Sequence, residues 1–312
     1  MQYFLQRLVT SIPTLFGVMV AVFFVVHLIP GDPLLAMLGD SATQSQLDEA
    51  REQFGFDRPL PEQFARFVAQ YSSGDMGRSI RSRRPVTTEI VSRFPPTLQL
   101  AIAAVLVSVV LGVPLGIVAA VRRGGLVDFV SLVLSTLGIA APVFWVGLLL
   151  SLLFATKLGW LPSIGAGRPG DPISVVRALV LPSLTLGLRG MALIARMTRS
   201  SMLEVLGEDF VRTARAKGLS SRLVIYKHAL RNAANPIISI VGLNFGLLLG
   251  GTVLIETVFA RPGLGKLLVD SILARDYPVV QGVTFTIATA FILVNLATDL
   301  TYSVLDPRVR VS

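Results

Sequence analysis

The chain has 312 residues, of which 53% are hydrophobic and 15% charged, and its mean hydropathy is +0.70. These values lie outside the range of soluble domains and indicate an all-α, polytopic membrane protein. The absence of cysteine excludes disulfides, thiolate metal sites and thiol catalysis. His27 and His228 are far apart in sequence and predict no metal site. Positive charge is heaviest in one connecting loop, which membrane topology explains better than nucleic acid binding does.

Six segments are long and apolar enough to cross a bilayer, whose core of about 30 Å needs roughly 20 residues per helix. Arg189 interrupts the weakest of them. The first segment lacks an A-x-A cleavage pattern and is interpreted as a retained helix, not as a signal peptide. The predicted spans cover about 8–29, 98–121, 129–156, 178–197, 237–258 and 279–304.

The distribution of charge orients these spans. Six spans place both termini on one side of the membrane, and with that side cytoplasmic the inner segments hold twelve Lys and Arg against six in the short outer loops. The sequence therefore predicts a multi-pass protein of the prokaryotic cytoplasmic membrane with both termini in the cytoplasm. Its predicted parts are 1–29 with the first span, an extracytoplasmic segment 30–97, a five-helix core 98–304 and a cytoplasmic tail 305–312.

The segment 30–97 predicts short helices. Helical spacing runs from Thr43 to Phe54 and stops at Gly55, and a second helix is expected from about Pro61. An amphipathic piece, 86–94, is expected on the membrane surface, after which Pro95-Pro96 turns the chain inward.

The inner loop, 208–236, has the charge pattern of a short helix. Glu208 and Asp209 lie where a helix N-terminus favours negative charge, and Arg212 and Arg215 lie toward its C-terminus. Gly218 is the expected stop.

One face of this short helix is apolar. Phe210, Val211 and Ala214 are predicted to share it. A helix of this length is not stable alone, so we expect the face to occupy a groove on a cytosolic partner. The alternative is an ordinary basic loop lying on anionic lipid.

The loop resembles the signature of ABC-importer permeases, E-A-A, three residues, G, nine residues, I-x-L-P, with Gly218 as its glycine. Arg212 stands for the glutamate, His228 for isoleucine and Arg231 for proline. These departures are similar to the peptide-type subfamily. The resemblance extends through the strings IPGDP at 29–33, ETVFARPGLGKLL at 256–268, ARDYPVVQG at 274–282 and LDPRVR at 305–310.

The resemblance implies a type I importer permease for dipeptides or oligopeptides, paired in the lipid bilayer with a second, homologous permease. Two ATP-binding subunits would bind the inner loops, and an extracytoplasmic binding protein would deliver the peptide substrate. Nickel and glutathione importers share the subfamily, so the cargo stays open. The residues expected to dock on the ATPase are Glu208, Asp209, Phe210, Val211, Arg212, Ala214, Arg215 and Gly218.

ATP hydrolysis is not predicted for this chain. It has no loop of the form G-x-x-x-x-G-K-S/T. ATP and Mg²⁺ are therefore expected in partner subunits, with no catalytic residue or cofactor here. A proton-coupled secondary transporter would use Arg189, Glu256 or Asp299 as carriers and would leave the inner loop unexplained. A membrane scaffold would explain the loop but not the charged residues in the spans or the kinks expected at Pro114, Pro142 and Pro182.

Ionisable residues inside spans are candidate functional residues, because a charge in mid-bilayer costs about 2.5 to 3.5 kcal/mol. Arg189 lies about midway along its span. It is expected either to attract a peptide carboxylate in the pathway or to bond to backbone carbonyls at the permease interface, and the second role is favoured. Glu256 lies near the outer end of its span, where interfacial pairing is expected.

Overall fold

The computed structural model describes residues 2–27, 34–35, 39, 42–54 and 57–305. In these ranges regular structure is helical, apart from one isolated bridge between Arg78 and Pro85, which confirms the all-α class. The helices are α1 Gln2–His27, α2 Gln44–Phe54, α3 Leu60–Ser72, α4 Val86–Val121, α5 Leu126–Ala140, α6 Val143–Leu150, α7 Pro172–Leu206, α8 Asp209–Ala216, α9 Ser221–Leu223, α10 Leu230–Asn232, α11 Ala234–Gly251, α12 Val253–Val258, α13 Leu264–Leu273 and α14 Tyr277–Leu305. Two π-helical segments, Ser151–Lys157 and Val224–Ala229, follow α6 and α9.

Several of these helices have the length and composition of membrane spans. Among the described residues three qualify alone, and up to five if each of two bent pairs counts as one span. A shorter apolar helix, Val9–Phe24, lies within the first predicted span. The three are Val86–Val121, Pro172–Leu206 and Tyr277–Asp299, and the bent pairs are Leu126–Ala140 with Val143–Lys157 and Ser221–Asn232 with Ala234–Gly250.

The predicted span 129–156 is not one straight helix. α5 and α6 meet at a bend of 104°. Ala141 between them has φ −69° and ψ 133°, because the ring of Pro142 disfavours helical backbone at the preceding residue. The predicted span 237–258 is likewise divided, at Thr252, between α11 and α12.

The turn predicted at Pro95-Pro96 is wrong, since α4 runs without a break through both prolines. The stretch 86–94 is also not an isolated surface helix. Val86 and Ile90 are buried in a cluster of this chain, so protein covers the face that was expected to meet lipid. The other buried members of the cluster are Leu264, Leu267, Val279 and Val283.

The chain divides into two compact units. The first comprises Met1–Thr97 and Pro262–Ile292, and the second Leu98–Arg261 and Leu293–Ser312. In the first unit the predicted helices near 43–54 and 61 are present as α2 and α3, and the predicted stop at Gly55 lies outside the described residues. A cluster of α1, α3 and α14 side chains forms part of its core, with Met19, Val22, Tyr71 and Phe285 buried.

Asp276 fixes an exposed turn of the first unit. Its carboxylate accepts hydrogen bonds from the Ser79 hydroxyl at 2.5 Å and from the backbone N–H groups of Ile80 and Arg81 at 3.1 and 3.3 Å. Arg83, in the same turn, has φ +61°, a region that side chains other than glycine rarely adopt. The buried aspartate therefore holds a backbone conformation that the turn would not keep by itself.

Small residues allow close helix contacts in the second unit. A Cβ atom added at Gly190 of α7 would lie 2.2 Å from Ser108 Oγ and 2.7 Å from Asn244 Nδ2. Gly112 and Gly116 approach α7 in the same way, with carbonyl oxygens 2.9 and 2.6 Å from the added atom. Gly112 and Gly116, whose four-residue spacing permits close approach of helices, therefore pack within this chain.

Candidate functional site

The predicted helix of the inner loop is present as α8. Glu208 precedes it in extended conformation, at φ −71° and ψ 150°, and Asp209 begins it. Arg215 lies in its last turn, where positive charge is favoured. Gly218 follows at φ +78°, so the predicted stop is a left-handed glycine.

Of the three residues predicted on the apolar face of α8, Val211 and Ala214 are buried. Val211 and Ala214 are 0% and 7% exposed. They pack on Val224 and on partly buried side chains at the end of α7 and beyond α8, namely Val205, Leu206 and Leu219. The expectation that this face needs a groove on another protein is therefore wrong, because the chain itself covers it.

Phe210 does not belong to that buried face. It is 41% exposed, since a side chain adjacent to Val211 points about 100° away around the helix. Arg212 and Arg215 are exposed as well, as are Glu208, Asp209 and Gly218. The ion pair between Arg212 and Asp209, 3.4 Å long with side chains 76% and 94% exposed, contributes little. The surface left for a partner is a phenylalanine among arginines.

The segment after Gly218 enlarges this surface. Leu223 and Tyr226 are exposed large side chains, and together with Ser220, Arg222 and Lys227 they line a shallow pocket. Sequence analysis did not predict Leu223 and Tyr226 as part of this surface. The π-helical turn Val224–Ala229 alters the residue spacing from which a shared helix face is predicted. The signal that was present is their position between basic residues of one loop.

An ion pair lies near the end of α7, which leads into α8. Arg199 Nε and Nη2 donate to Asp128 Oδ1 and Oδ2 at 2.5 and 2.8 Å. The Gly124 N–H donates to the same carboxylate at 3.0 Å. The pair thus joins the end of α7 to the start of α5. Sequence analysis missed it, since 71 residues separate the partners.

Arg189 lies away from α8. It is exposed on α7, about 26 Å along the helix from its end at Leu206. Among the described residues Arg189 has no hydrogen bond or ion pair, so its two predicted roles, in the pathway or at the interface with the second permease, both stay predictions.

Glu256 does not face an opening. It is 1% exposed and accepts a hydrogen bond from Thr252 Oγ1 at 3.1 Å. Arg261, also 1% exposed, donates from Nη1 to the Ala178 carbonyl at 3.4 Å. Burial lowers the pKa of Arg261, and the charge of Glu256 opposes that change. The expectation that Glu256 lies in a pathway or at a permease interface is therefore corrected: it is an interior residue of this chain.

In the described ranges no group of three or more His, Asp or Glu side chains is placed to hold a metal ion.

Family models match nearly the whole chain. The model described as "Binding-protein-dependent transport system inner membrane component" matches residues 112–311. The model of the N-terminal part of such membrane components matches residues 1–101.

Full-length relatives and a solved structure agree with this match. The chain is 45% identical, over 99% of both chains, to the glutathione transport system permease protein GsiC of Pectobacterium atrosepticum and to that of Escherichia coli. It is 46% identical to that of Salmonella paratyphi A over the same share. A chain of the MetNI methionine ABC transporter, in an inward-facing conformation, has a similar fold, with a TM-score of 0.58, 20% identity, and coverage of 70% of this chain and 96% of that one. The chain therefore belongs to the family of inner membrane components of binding-protein-dependent transport systems, as a permease subunit of a type I ABC importer.

Proposed function

We propose that this permease subunit carries glutathione into the cytoplasm, in an importer driven by ATP. The observation that supports this cargo is the match to glutathione permeases at 45% identity along 99% of both chains. Dipeptides and oligopeptides, which sequence analysis placed first, are the second candidate, because the strings at 256–268 and 274–282 resemble the peptide-type subfamily. The two candidates are chemically close, since glutathione is itself a tripeptide.

The proposed energy input is the exposed side of α8. Two ATP-binding subunits, which hold the ATP and Mg²⁺, dock on the inner loops of this chain and of a second, homologous permease. Phe210 supplies the apolar anchor of the contact, because aromatic residues and arginine are both enriched at protein interfaces. Arg212 and Arg215 supply charge for acidic groups of the partner.

The buried side of α8 explains how a pull on it reaches the spans. Val211 and Ala214 pack on Val205 and Leu206, the last residues of α7. Movement of α8 therefore moves the end of α7, and the Arg199–Asp128 pair carries the displacement to α5. In this proposal the permease changes access between the two sides when the ATP-binding subunits close.

The remaining partners and the orientation follow from the same proposal. An extracytoplasmic binding protein delivers cargo on the side opposite α8. Both termini lie in the cytoplasm, because that orientation places the basic loop 208–236 inside.

The cargo is tested by uptake in a strain that lacks its own glutathione and peptide importers and expresses the complete importer. Labelled glutathione is compared with a dipeptide, a pentapeptide and nickel. We expect saturable glutathione uptake that stops when ATP is depleted. Uptake of dipeptides without glutathione would establish the second candidate instead. Uptake that survives ATP depletion and stops with an uncoupler would establish a proton-coupled transporter.

A further inference from the structure

The four arginines of α7 fall into two groups. Arg177 donates from Nη2 to the Trp160 carbonyl at 2.8 Å, and Arg199 is paired with Asp128. Arg189 and Arg196 are both exposed, and neither has a hydrogen bond or ion pair within the part of the chain that the structure describes. Two of the four guanidinium groups therefore have no bonding partner in the described ranges.

Arg189 and Arg196 lie on the same side of α7. Seven residues are almost two helical turns, so the two side chains start about 20° apart around the axis and about 10.5 Å apart along it. Ser200, a further turn along, is exposed on this side. Ile194 and Ala195, on other sides of the same turns, are 0% and 1% exposed. Between Ala178 and Leu203, where most of α7 is buried or half-buried, the exposed side chains therefore form one stripe on one side of the helix.

The depth of Arg189 in the apolar stretch disfavours lipid as its environment. Arg189 lies about 2 Å along the axis from the middle of the apolar stretch 178–197. An arginine at the centre of a membrane helix costs about 2.5 to 3.5 kcal/mol, so such residues face protein or a water-filled cavity. α7 is also the most enclosed of the three single-helix candidates, with 61% of its apolar window buried against 33% and 28%. Most of the α7 surface in this window is therefore covered by protein, and only a small part is exposed.

We propose that Arg189 and Arg196 line the translocation pathway and bind carboxylate groups of the cargo at two successive depths. The inference rests on the proposed function, whose favoured cargo, glutathione, has two carboxylates. A guanidinium group binds a carboxylate through two parallel hydrogen bonds, and this gives direction as well as attraction. Two such groups on one helix side let an anionic cargo pass from one to the other without entering an apolar environment.

Cysteine accessibility tests the pathway position without reference to the cargo. The chain has no cysteine, so Arg189→Cys and Arg196→Cys each introduce a single thiol. In membrane vesicles that contain the assembled importer, an anionic, membrane-impermeant methanethiosulfonate is applied from either side, and modification of this chain is read by its mass. Val110→Cys, on an exposed apolar position of α4, and Ile194→Cys, at a buried position of α7, are the controls.

We expect both arginine positions to react, about tenfold faster than either control, because a thiol reacts as the thiolate and that form needs water. Protection by glutathione is expected at the same positions. Failure of Arg189→Cys to react from either side would overturn the pathway position, because the site would then be dry.

Uptake tests the recognition of carboxylates. The complete importer, with Arg189→Gln, Arg196→Gln or Arg189→Lys, is supplied with glutathione and with its C-terminal amide. Each Gln variant is expected to raise the KM for glutathione by about tenfold or more, because one charge-assisted bond is lost. In at least one of the two Gln variants, the KM for the amide is expected to rise less than the KM for glutathione. Arg189→Lys is expected to restore part of the preference.

Two results would overturn carboxylate recognition. One is an unchanged ratio of acid to amide uptake in both Gln variants. The other is loss of the second permease from the purified complex in both, because the arginines would then hold that subunit. If the unaltered importer moves no glutathione, the cargo proposal fails, while the cysteine experiment still decides whether the stripe lines the pathway.

Discussion

Arg199 holds both carboxylate oxygens of Asp128, and by this contact the last turns of α7 are fixed to the first turn of α5. The Asp128 side chain is 5% exposed and that of Arg199 21%. A buried ion of this kind is more costly when its partner is removed than when both are removed.

We therefore expect Asp128→Asn to lower the midpoint of thermal unfolding of the purified complex and to reduce uptake to a small fraction. The double variant Asp128→Asn with Arg199→Gln should recover most of the loss in midpoint, because no unpaired guanidinium remains. A double variant no better than the single one would show that the pair does not act as a unit.

Phe210 is exposed and its neighbour Val211 is buried, so substitutions at the two positions test docking and folding separately. Phe210→Ala should leave the thermal midpoint of the isolated permease unchanged but weaken its binding to the ATP-binding subunit by about thirtyfold, the loss of a hot-spot side chain. Val211→Ala should destabilise the α8 region by about 1.5 to 3 kcal/mol, because its side chain is fully buried. Titration of the permease with purified ATP-binding subunit measures the first effect, and hydrogen exchange across 205–224 the second. Equal affinities for the Phe210→Ala and unaltered permeases would remove Phe210 from the interface.

Gly190 is required by its neighbours. Gly190→Ala should destabilise the permease by about 1 to 3 kcal/mol, the cost of overpacking, because the new methyl group would meet Ser108 Oγ and Asn244 Nδ2. Gly17→Ala is the matched control, since an added Cβ there has no neighbour within 4 Å and alanine favours a helix by up to about 1 kcal/mol. Thermal unfolding in detergent compares the two. Similar midpoints for both variants would contradict the close contact.

Asp276 is expected to protect the turn 79–84 from proteolysis. In Asp276→Ala the Ser79 hydroxyl and two backbone N–H groups lose their acceptor. Trypsin should then cleave after Arg81 or Arg83 about tenfold faster, because local opening becomes easier. Asp270→Ala removes an exposed carboxylate paired with Lys266 at 3.1 Å and should leave the cleavage rate unchanged. The same rate in both variants would mean that Asp276 does not hold the turn.

Most of the helices were predictable because their signals are local. Apolar length predicts α4, α7 and α14, and charge order with a terminal glycine predicts α8. The predictions that were wrong depend on contacts between residues far apart in the sequence. Pro95-Pro96 predicts a turn in any short stretch, yet α4 is helical through both prolines, and its first turns pack through Val86 and Ile90 in a buried cluster.

The position of the candidate site could be predicted from the sequence, but which side chains of α8 are buried and which are exposed could not. Helical spacing brings Phe210 near Val211 and Ala214, and it cannot tell which of them meets Val224, ten or more residues along the chain. The contact between Asp128 and Arg199 and the burial of Glu256 depend on tertiary packing in the same way. No spacing within a single segment indicates them.

The π-helical turn Val224–Ala229 gives the inner loop room for a change of length. A π-helical turn holds about one residue more than an α-helical one for nearly the same rotation. Loss of one residue from this turn would therefore let it close as an α-helical turn, with the later side chains still on their present faces. Loss of one residue from the α-helical stretch Leu230–Asn232 would instead rotate every later side chain by about 100° around the axis. Ala233 and Ile237, which are buried beside Met202, would then turn away from it, so a deletion there is expected to be tolerated much less well than one within the π-helical turn.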